Sequence, residues 1–341
     1  MFIVPKAGRP HLKQRTHTWL AIRAIALLEE ENEVPGLVRL LKPHIRGAAI
    51  GSWIPDLADA RKGFGDIDNH VFKLKPYHGS GAERFIRSRR QTLRSLGNHR
   101  QVSAFVRKWG DVLDDAWWQQ PYRADPPPGQ HLANRSMALF TTLIDQLILG
   151  DPKVARLVPG TVRFASNLDP GARPRSEEIA TYCFMLSHFV ADACQPFHCD
   201  ARPLAGYSAG VHKELEAHWD RYCGPYFDKK RLLASGDSPR TVLERAREID
   251  EKLGIRFSGN IPDLSARDLW LEVVYLCRAS FAVCGILVPA GKIPYGSRKH
   301  TTFGEVFQPD GLLQELDRAI LHDSVLNISI AWKAIWRTFA R

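Results

Sequence analysis

The stretch His188-Phe-Val-Ala-Asp192-Ala-Cys-Gln-Pro-Phe-His198 combines a helical pattern with three side chains of the types that commonly bind divalent metals. Apolar residues recur at helical spacing from Ser176 to Asp192, which predicts a helix. Positions i and i+4 lie on one helix face, so the imidazole of His188 and the carboxylate of Asp192 can reach the same ion. Pro196 cannot continue the helix, and this places His198 just beyond a bend.

A second pair of the same kind follows at His212 and Glu216, so five imidazole or carboxylate groups fall within 29 residues. A loop between the pairs could fold one back against the other. Nitrogen and oxygen ligands of this kind indicate zinc first and manganese or iron second. The alternative for each histidine alone is a satisfied core residue. Glu214 and His218 show the same spacing, and we interpret that pair as a solvated helix face.

The composition of the chain is that of a globular protein. It has 341 residues, of which 44% are hydrophobic and 25% charged, enough for a sizeable core. No apolar run reaches the roughly 18 to 20 residues of a membrane span. The first residues have too short an apolar segment for a secretory signal, which predicts a cytoplasmic protein, or a secreted one if a leader has been removed. The net charge of +10 favours phosphate-bearing or polyanionic partners, such as nucleic acid or an anionic membrane surface, or serves only solubility.

Six cysteines occur without the spacing of a disulfide framework. Cys183 and Cys284 lie in apolar helical patterns, so buried free thiols are the expectation. Cys194 and Cys199 flank the metal-binding stretch and are alternative ligands.

The whole chain, residues 1–341, is predicted to form a single all-α domain. A loop rich in Gly, Pro and Asp is expected from about residue 47 to 81, and strand alternation is scarce. Bundles of this kind build metal sites from side chains of several helices, so we expect the metal cluster in a central cleft. Helical patterns cover residues 16–31, 34–45, 82–97, 99–119, 130–149, 176–193, 208–222, 238–253, 266–288 and 309–339.

Three further candidate ligands lie in the first quarter of the chain: His17 in the first predicted helix, and Asp56 and His70 in the long loop. Each has an ordinary alternative interpretation. An Asp after Pro is commonly part of a turn, and a histidine in a loop is commonly solvated.

The order His…Asp-x13-His…His-x3-Asp-x5-His…His-x3-Glu resembles the zinc-dependent phospholipase C and single-strand nuclease superfamily. The segment Thr-His17-Thr-Trp-Leu-Ala-Ile-Arg and the acidic Glu216 are similar to the bacterial phospholipases, whereas Gln-Pro before Phe-His198 looks more like the nucleases. The match covers about residues 16–220, and the helices at 238–339 would complete the bundle.

The resemblance implies an all-helical fold that binds two or three zinc ions. Asp56, His70, His188 and Asp192 would hold the first ion, and His198, His212 and Glu216 the second. Asp192 would also bridge to a third ion bound by His17. In the family an N-terminal tryptophan completes that third site, whereas this chain begins Met1-Phe2 and has Val4 near the expected position. The Met1 terminus, His11, water or an empty site are the open alternatives.

The function that this resemblance implies is hydrolysis of a phosphodiester by metal-activated hydroxide attack on phosphorus, with Asp56 as the catalytic carboxylate. A phospholipase C-like activity on a phospholipid head group is the first hypothesis. A zinc nuclease acting on single-stranded DNA or RNA is the second, and a non-catalytic, metal-stabilised helical protein is the third. The basic segment from Arg84 to Arg100 could contact an anionic surface, or could be a solvated run of charge.

Overall fold

The computed structural model describes residues 14–59, 70–76, 100–113, 122–124, 131–150, 174–202, 204, 210–258, 260–265, 268–289, 291–294, 299 and 301–339. The helices are α1 (Gln14–Glu31), α2 (Pro35–Leu41), α3 (Ala48–Gly51), α4 (Ile54–Asp59), α5 (Arg100–Leu113), α6 (Leu132–Gly150), α7 (Ser176–Cys194), α8 (Val211–Cys223), α9 (Lys229–Ala234), α10 (Pro239–Leu253), α11 (Leu269–Leu287), α12 (Phe303–Val306) and α13 (Leu312–Phe339). Short 3-10 helices span Lys42–Gly47, Pro196–His198 and Pro225–Phe227. Among the described residues, the strands are β1 (Leu74–Pro76) and β2 (Tyr122–Ala124), which pair antiparallel.

The prediction of an all-α fold is confirmed, and the described residues share one hydrophobic core. The longer helices begin and end within a few residues of the predicted segments, because each carries an apolar face with helical spacing. Residues 114–119 of the predicted helix at 99–119 lie outside the described residues. The predicted helix at 82–97 lies outside the described residues, as do the basic residues from Arg84 to His99 and the N-terminal candidates Met1, Val4 and His11.

The prediction of an unbroken loop from 47 to 81 is wrong at its start, where the chain forms α3 and α4. Glycine and proline suggested a loop there, but Pro55 occupies the first turn of α4, a position that needs no backbone N–H donor. Gly51 allows α3 to approach α7 closely, since a Cβ atom on it would lie 2.7 Å from the Cβ of Phe184. Tertiary packing therefore stabilises two helices that are too short to form alone.

Three helices form the centre of the molecule. Every residue from Thr16 to Leu28 of α1 and from Ala319 to Ile335 of α13 is buried, as expected for helices surrounded by others. α7 packs against α1, α3, α6, α11 and α13. Side chains on α7 are thereby fixed from several directions, which suits a helix that carries two candidate metal ligands.

The segment around β1 lies beside the chain that follows α7. The backbone N–H of Phe72 donates to the carbonyl of His198 at 3.3 Å, and that of Leu74 donates to Cys199 at 2.9 Å. These bonds hold the chain just after His70 against the 3-10 helix that contains His198. The two histidines, 128 positions apart in sequence, are therefore brought to the same region.

One helix of the described part, α11, is long and apolar enough to cross a membrane by its length and composition. Its most apolar window has a mean hydropathy of 1.6, and 78% of that window is buried inside the fold. A core helix of a globular protein has the same character.

Candidate metal centre

All eight predicted ligands come together, although they belong to six separate segments of the chain. They form three groups, and within each group the possible ligand atoms lie within 4.8 Å of one another. The groups are His17, Asp56 and His188; His70, His188 and Asp192; and His198, His212 and Glu216. A pocket lined in part by His17, Asp192 and Glu216 borders them.

Asp192 of α7 is at the centre of the cluster and is 3% exposed. Its Oδ2 atom lies 2.9 Å from His70 Nδ1 and 3.1 Å from His188 Nε2. Its Oδ1 atom lies 3.5 Å from both His17 Nε2 and His198 Nδ1. One buried carboxylate thus faces four imidazoles, an arrangement suited to bridging two cations.

The third group is built around Glu216 of α8. Its Oε1 atom lies 2.7 Å from His212 Nε2 and 3.4 Å from His198 Nε2. The i, i+4 spacing places His212 and Glu216 on one face of α8, as predicted. His198 reaches them because α7 ends at Cys194 and the chain turns through the 3-10 helix. Its ring faces Glu216 with one nitrogen and Asp192 with the other.

The first two groups lie next to each other and share His188. Its Nε2 atom lies 3.0 Å from His70 Nδ1 and 3.8 Å from Asp56 Oδ1. The ring of His17 stacks on it with a centroid separation of 4.0 Å. The structure thus brings the predicted residues together, while their division among three zinc ions stays a prediction.

Two contacts that orient the histidines had no clear signal in the sequence. His188 Nδ1 donates to the carbonyl of Ser52 at 2.7 Å, which leaves Nε2 facing the cluster. Asp220 of α8 accepts from both the backbone N–H and the hydroxyl of Thr16, at 2.9 and 2.6 Å, and so holds the first turn of α1, which carries His17, against α8. A backbone carbonyl can be supplied by any residue, so residue type could not have revealed the first contact.

The donor set fits a divalent cation of the zinc type. Five imidazoles and three carboxylates supply nitrogen and oxygen ligands. Asp56 Oδ2 and His198 Nδ1 are buried and have no hydrogen-bond partner, a costly state for a polar atom unless a cation or water occupies the space beside it. Both atoms belong to residues of the groups described above.

Neighbouring charges shift the pKa values of His188 and Asp192 in opposite directions. Burial alone would lower the pKa of His188, but the carboxylates of Asp192 and Asp56 outweigh it and raise the pKa to about 9. Burial alone would raise the pKa of Asp192, but the imidazoles of His188 and His198 hold it well below its usual range. In the metal-free protein, His188 is therefore protonated at neutral pH.

We expect metal affinity to rise with pH, because an ion must displace the proton of His188. Apparent affinity should increase about tenfold or more per unit between about pH 6 and 8. Competition with a chelator, together with calorimetry in two buffers that count released protons, would measure this. Binding without proton release at neutral pH would contradict the expectation.

The raised pKa of His188 also predicts how the stability of the metal-free fold depends on pH. Protonation of His188 should contribute fully to the free energy of unfolding below pH ~6.5, the pKa of a histidine in the unfolded chain. It should be lost as the pH rises through about 9.

The alternative ligands do not join the cluster. All six cysteines are free and buried, and within the described residues neither Cys194 nor Cys199 belongs to a metal-binding group. The interpretation of Glu214 and His218 as a solvated pair is wrong for His218, whose Nε2 lies 2.8 Å from Asp317 Oδ2 of α13. His218 belongs to an interhelical contact, which the spacing of a single helix could not indicate.

Comparison with protein-family models, with curated proteins and with solved structures finds no match to this chain. The resemblance to the phospholipase C and nuclease superfamily therefore rests on the order and spacing of the eight residues.

Proposed function

We propose that the protein is a zinc-dependent hydrolase of phosphodiesters, similar to phospholipase C. The observation that carries the proposal is the convergence of five imidazoles and three carboxylates, the buried Asp192 among them, in three adjoining groups. Phosphodiesters resist hydrolysis because their charged oxygens repel a nucleophile and the leaving alkoxide is poor. Enzymes commonly bind two or more cations to reduce this repulsion and to stabilise the leaving oxygen.

A purely structural metal site would need fewer residues. Structural zinc sites are closed, with four protein ligands around one ion. Here His188 belongs to two groups, and Asp192 contacts histidines of all three. Such sharing of ligands supports several neighbouring ions, which is typical of hydrolytic centres.

Bound zinc would supply a water of lowered pKa and neutralisation of the phosphoryl oxygens. Asp56 is the carboxylate that best fits the role of orienting the attacking water or accepting its proton. Its side chain is 15% exposed, compared with 4% for Asp192 and 9% for Glu216, and its Oδ2 atom has no hydrogen-bond partner. His198, His212 and Glu216 would hold an ion next to the group centred on Asp192.

The net charge of the chain and its resemblance to the phospholipases indicate which substrate to test first. A net charge of +10 attracts anionic substrates, which include phospholipid head groups and nucleic acids alike. The likeness of the His17 segment and of Glu216 to the phospholipases favours a lipid as the first substrate to test. A nuclease is the alternative outcome.

One panel of substrates tests the proposal. Zinc-loaded protein is incubated separately with phosphatidylcholine vesicles, single-stranded DNA and bis-p-nitrophenyl phosphate. The His212→Ala variant, treated in the same way, is the metal-site control. Release of a phosphorylated head group supports the lipid hypothesis, and cleavage of DNA supports the nuclease. Stoichiometric zinc without hydrolysis of any of the three would overturn the proposed activity and favour a metal-stabilised, non-catalytic protein.

A further inference from the structure

Gln195 connects two parts of the cluster that come from different helices. It lies between α7 and the 3-10 helix of His198 and is 4% exposed. Its Oε1 atom accepts a hydrogen bond from the backbone N–H of Phe197 at 2.7 Å. Its Nε2 atom donates to Glu216 Oε1 on α8 at 3.3 Å.

The network itself determines which end of the amide faces which partner. A backbone N–H can only donate, so the side-chain oxygen of Gln195 must face Phe197. The NH2 group must then face Glu216, whose carboxylate accepts. The oxygen that it reaches is also the one that lies 2.7 Å from His212 Nε2. A single side chain thus contacts both the turn that presents His198 and the carboxylate of Glu216.

We infer that Gln195 is a positioning residue for the group formed by His198, His212 and Glu216, and that it tunes how tightly this group binds a divalent cation. The inference rests on the proposed function only in requiring that this group binds metal; it does not depend on the substrate. Hydrogen-bond partners of ligating carboxylates hold them in the orientation that the ion needs. Their loss typically lowers metal affinity by about 10–100-fold.

Cobalt titration of near-isosteric variants tests the inference. Gln195→Met keeps the volume but removes both hydrogen bonds, and His212→Ala shows which binding step belongs to this group. Asn327→Leu is a matched control, since Asn327 is a buried amide that donates to the carbonyl of Asp323 at 2.8 Å, within α13, and leucine keeps the branched shape of its side chain. We expect Gln195→Met to weaken the His212-dependent step by about 10–100-fold. The other step should not change, and Asn327→Leu should bind as the wild type does.

A second variant separates the two hydrogen bonds and remains informative if Gln195→Met does not fold. Gln195→Glu keeps an acceptor for Phe197 and so preserves the turn, but it has no N–H to donate to Glu216. We expect the visible spectrum of cobalt in the His212-dependent step to change, because the carboxylate of Glu216 is no longer held by the amide. Circular dichroism confirms folding of each variant.

Two results would overturn the inference: a folded Gln195→Met protein with unchanged affinity at both steps, or a Gln195→Glu spectrum that superimposes on the wild type. Failure of the proposed function is distinguishable from either. Wild-type protein that binds cobalt but hydrolyses no phosphodiester removes the proposed activity and leaves this inference supported or refuted by the titrations. Wild-type protein that takes up no cobalt removes both.

Discussion

Asp192→Ala is expected to lose bound metal and to reduce phosphodiester hydrolysis to background. The carboxylate lies within 3.5 Å of four imidazoles, and in the proposed centre it bridges neighbouring ions. Its removal would leave the four imidazoles without the carboxylate that they share. The loss of affinity should exceed the about 10–100-fold that accompanies loss of an outer hydrogen-bond partner. Elemental analysis after gel filtration measures the number of ions per chain.

Asp317→Ala is the matched control for this experiment. Asp317 is also a buried carboxylate paired with a histidine, because it accepts from His218 Nε2 and Trp219 Nε1 at 2.8 Å. We expect that variant to unfold more readily, since its partners would be left unsatisfied, but to retain its metal when folded. An Asp192→Ala protein with the zinc content of the wild type would exclude Asp192 from a bridging role.

Asp56→Asn should slow turnover by about 10²–10⁴-fold, the usual contribution of a general base, with metal content nearly intact. Asparagine keeps the size of the side chain and one carbonyl oxygen as a ligand, but it cannot accept a proton from water. The decrease should appear in kcat against bis-p-nitrophenyl phosphate rather than in KM.

A half-buried carboxylate outside the cluster provides the comparison for Asp56. Asp237 accepts from the hydroxyl of Tyr226 at 2.8 Å, and Asp237→Asn should leave both kcat and zinc content unchanged. Full activity of Asp56→Asn at normal metal content would remove the catalytic role assigned to Asp56, while leaving it a possible ligand.

Much of the candidate centre was predictable because its signals are local. The pairs His188 with Asp192 and His212 with Glu216 depend only on the periodicity of a helix. The bend before His198 depends only on the geometry of Pro196. The positions of His17, Asp56 and His70 were predicted from the order of ligands in a resembling family, since no local pattern connects them to α7.

Other features could not be predicted from the sequence, because they depend on tertiary contacts. Gly51 and Pro55 suggested a loop, yet α3 and α4 form there because α7 offers a surface against which they pack. Ser52 orients His188 through its backbone carbonyl, so its side-chain type carries no information. Gln195 stood out only as part of a Gln-Pro pair, and its contact with Glu216 depends on how α8 folds back toward α7.

The amino-acid sequence by itself determined the helical segments, the pairs of metal-binding side chains within them and the turn at Pro196, because these depend on residues a few positions apart. Tertiary structure alone decided that His17, Asp56 and His70 meet Asp192, that Glu216 shares its oxygen between His212 and Gln195, and that His218 pairs with Asp317 instead of facing solvent. Those contacts join residues that are mostly tens to hundreds of positions apart. They exist only when the packing of the core brings α1, α4, α7, α8 and α13 together.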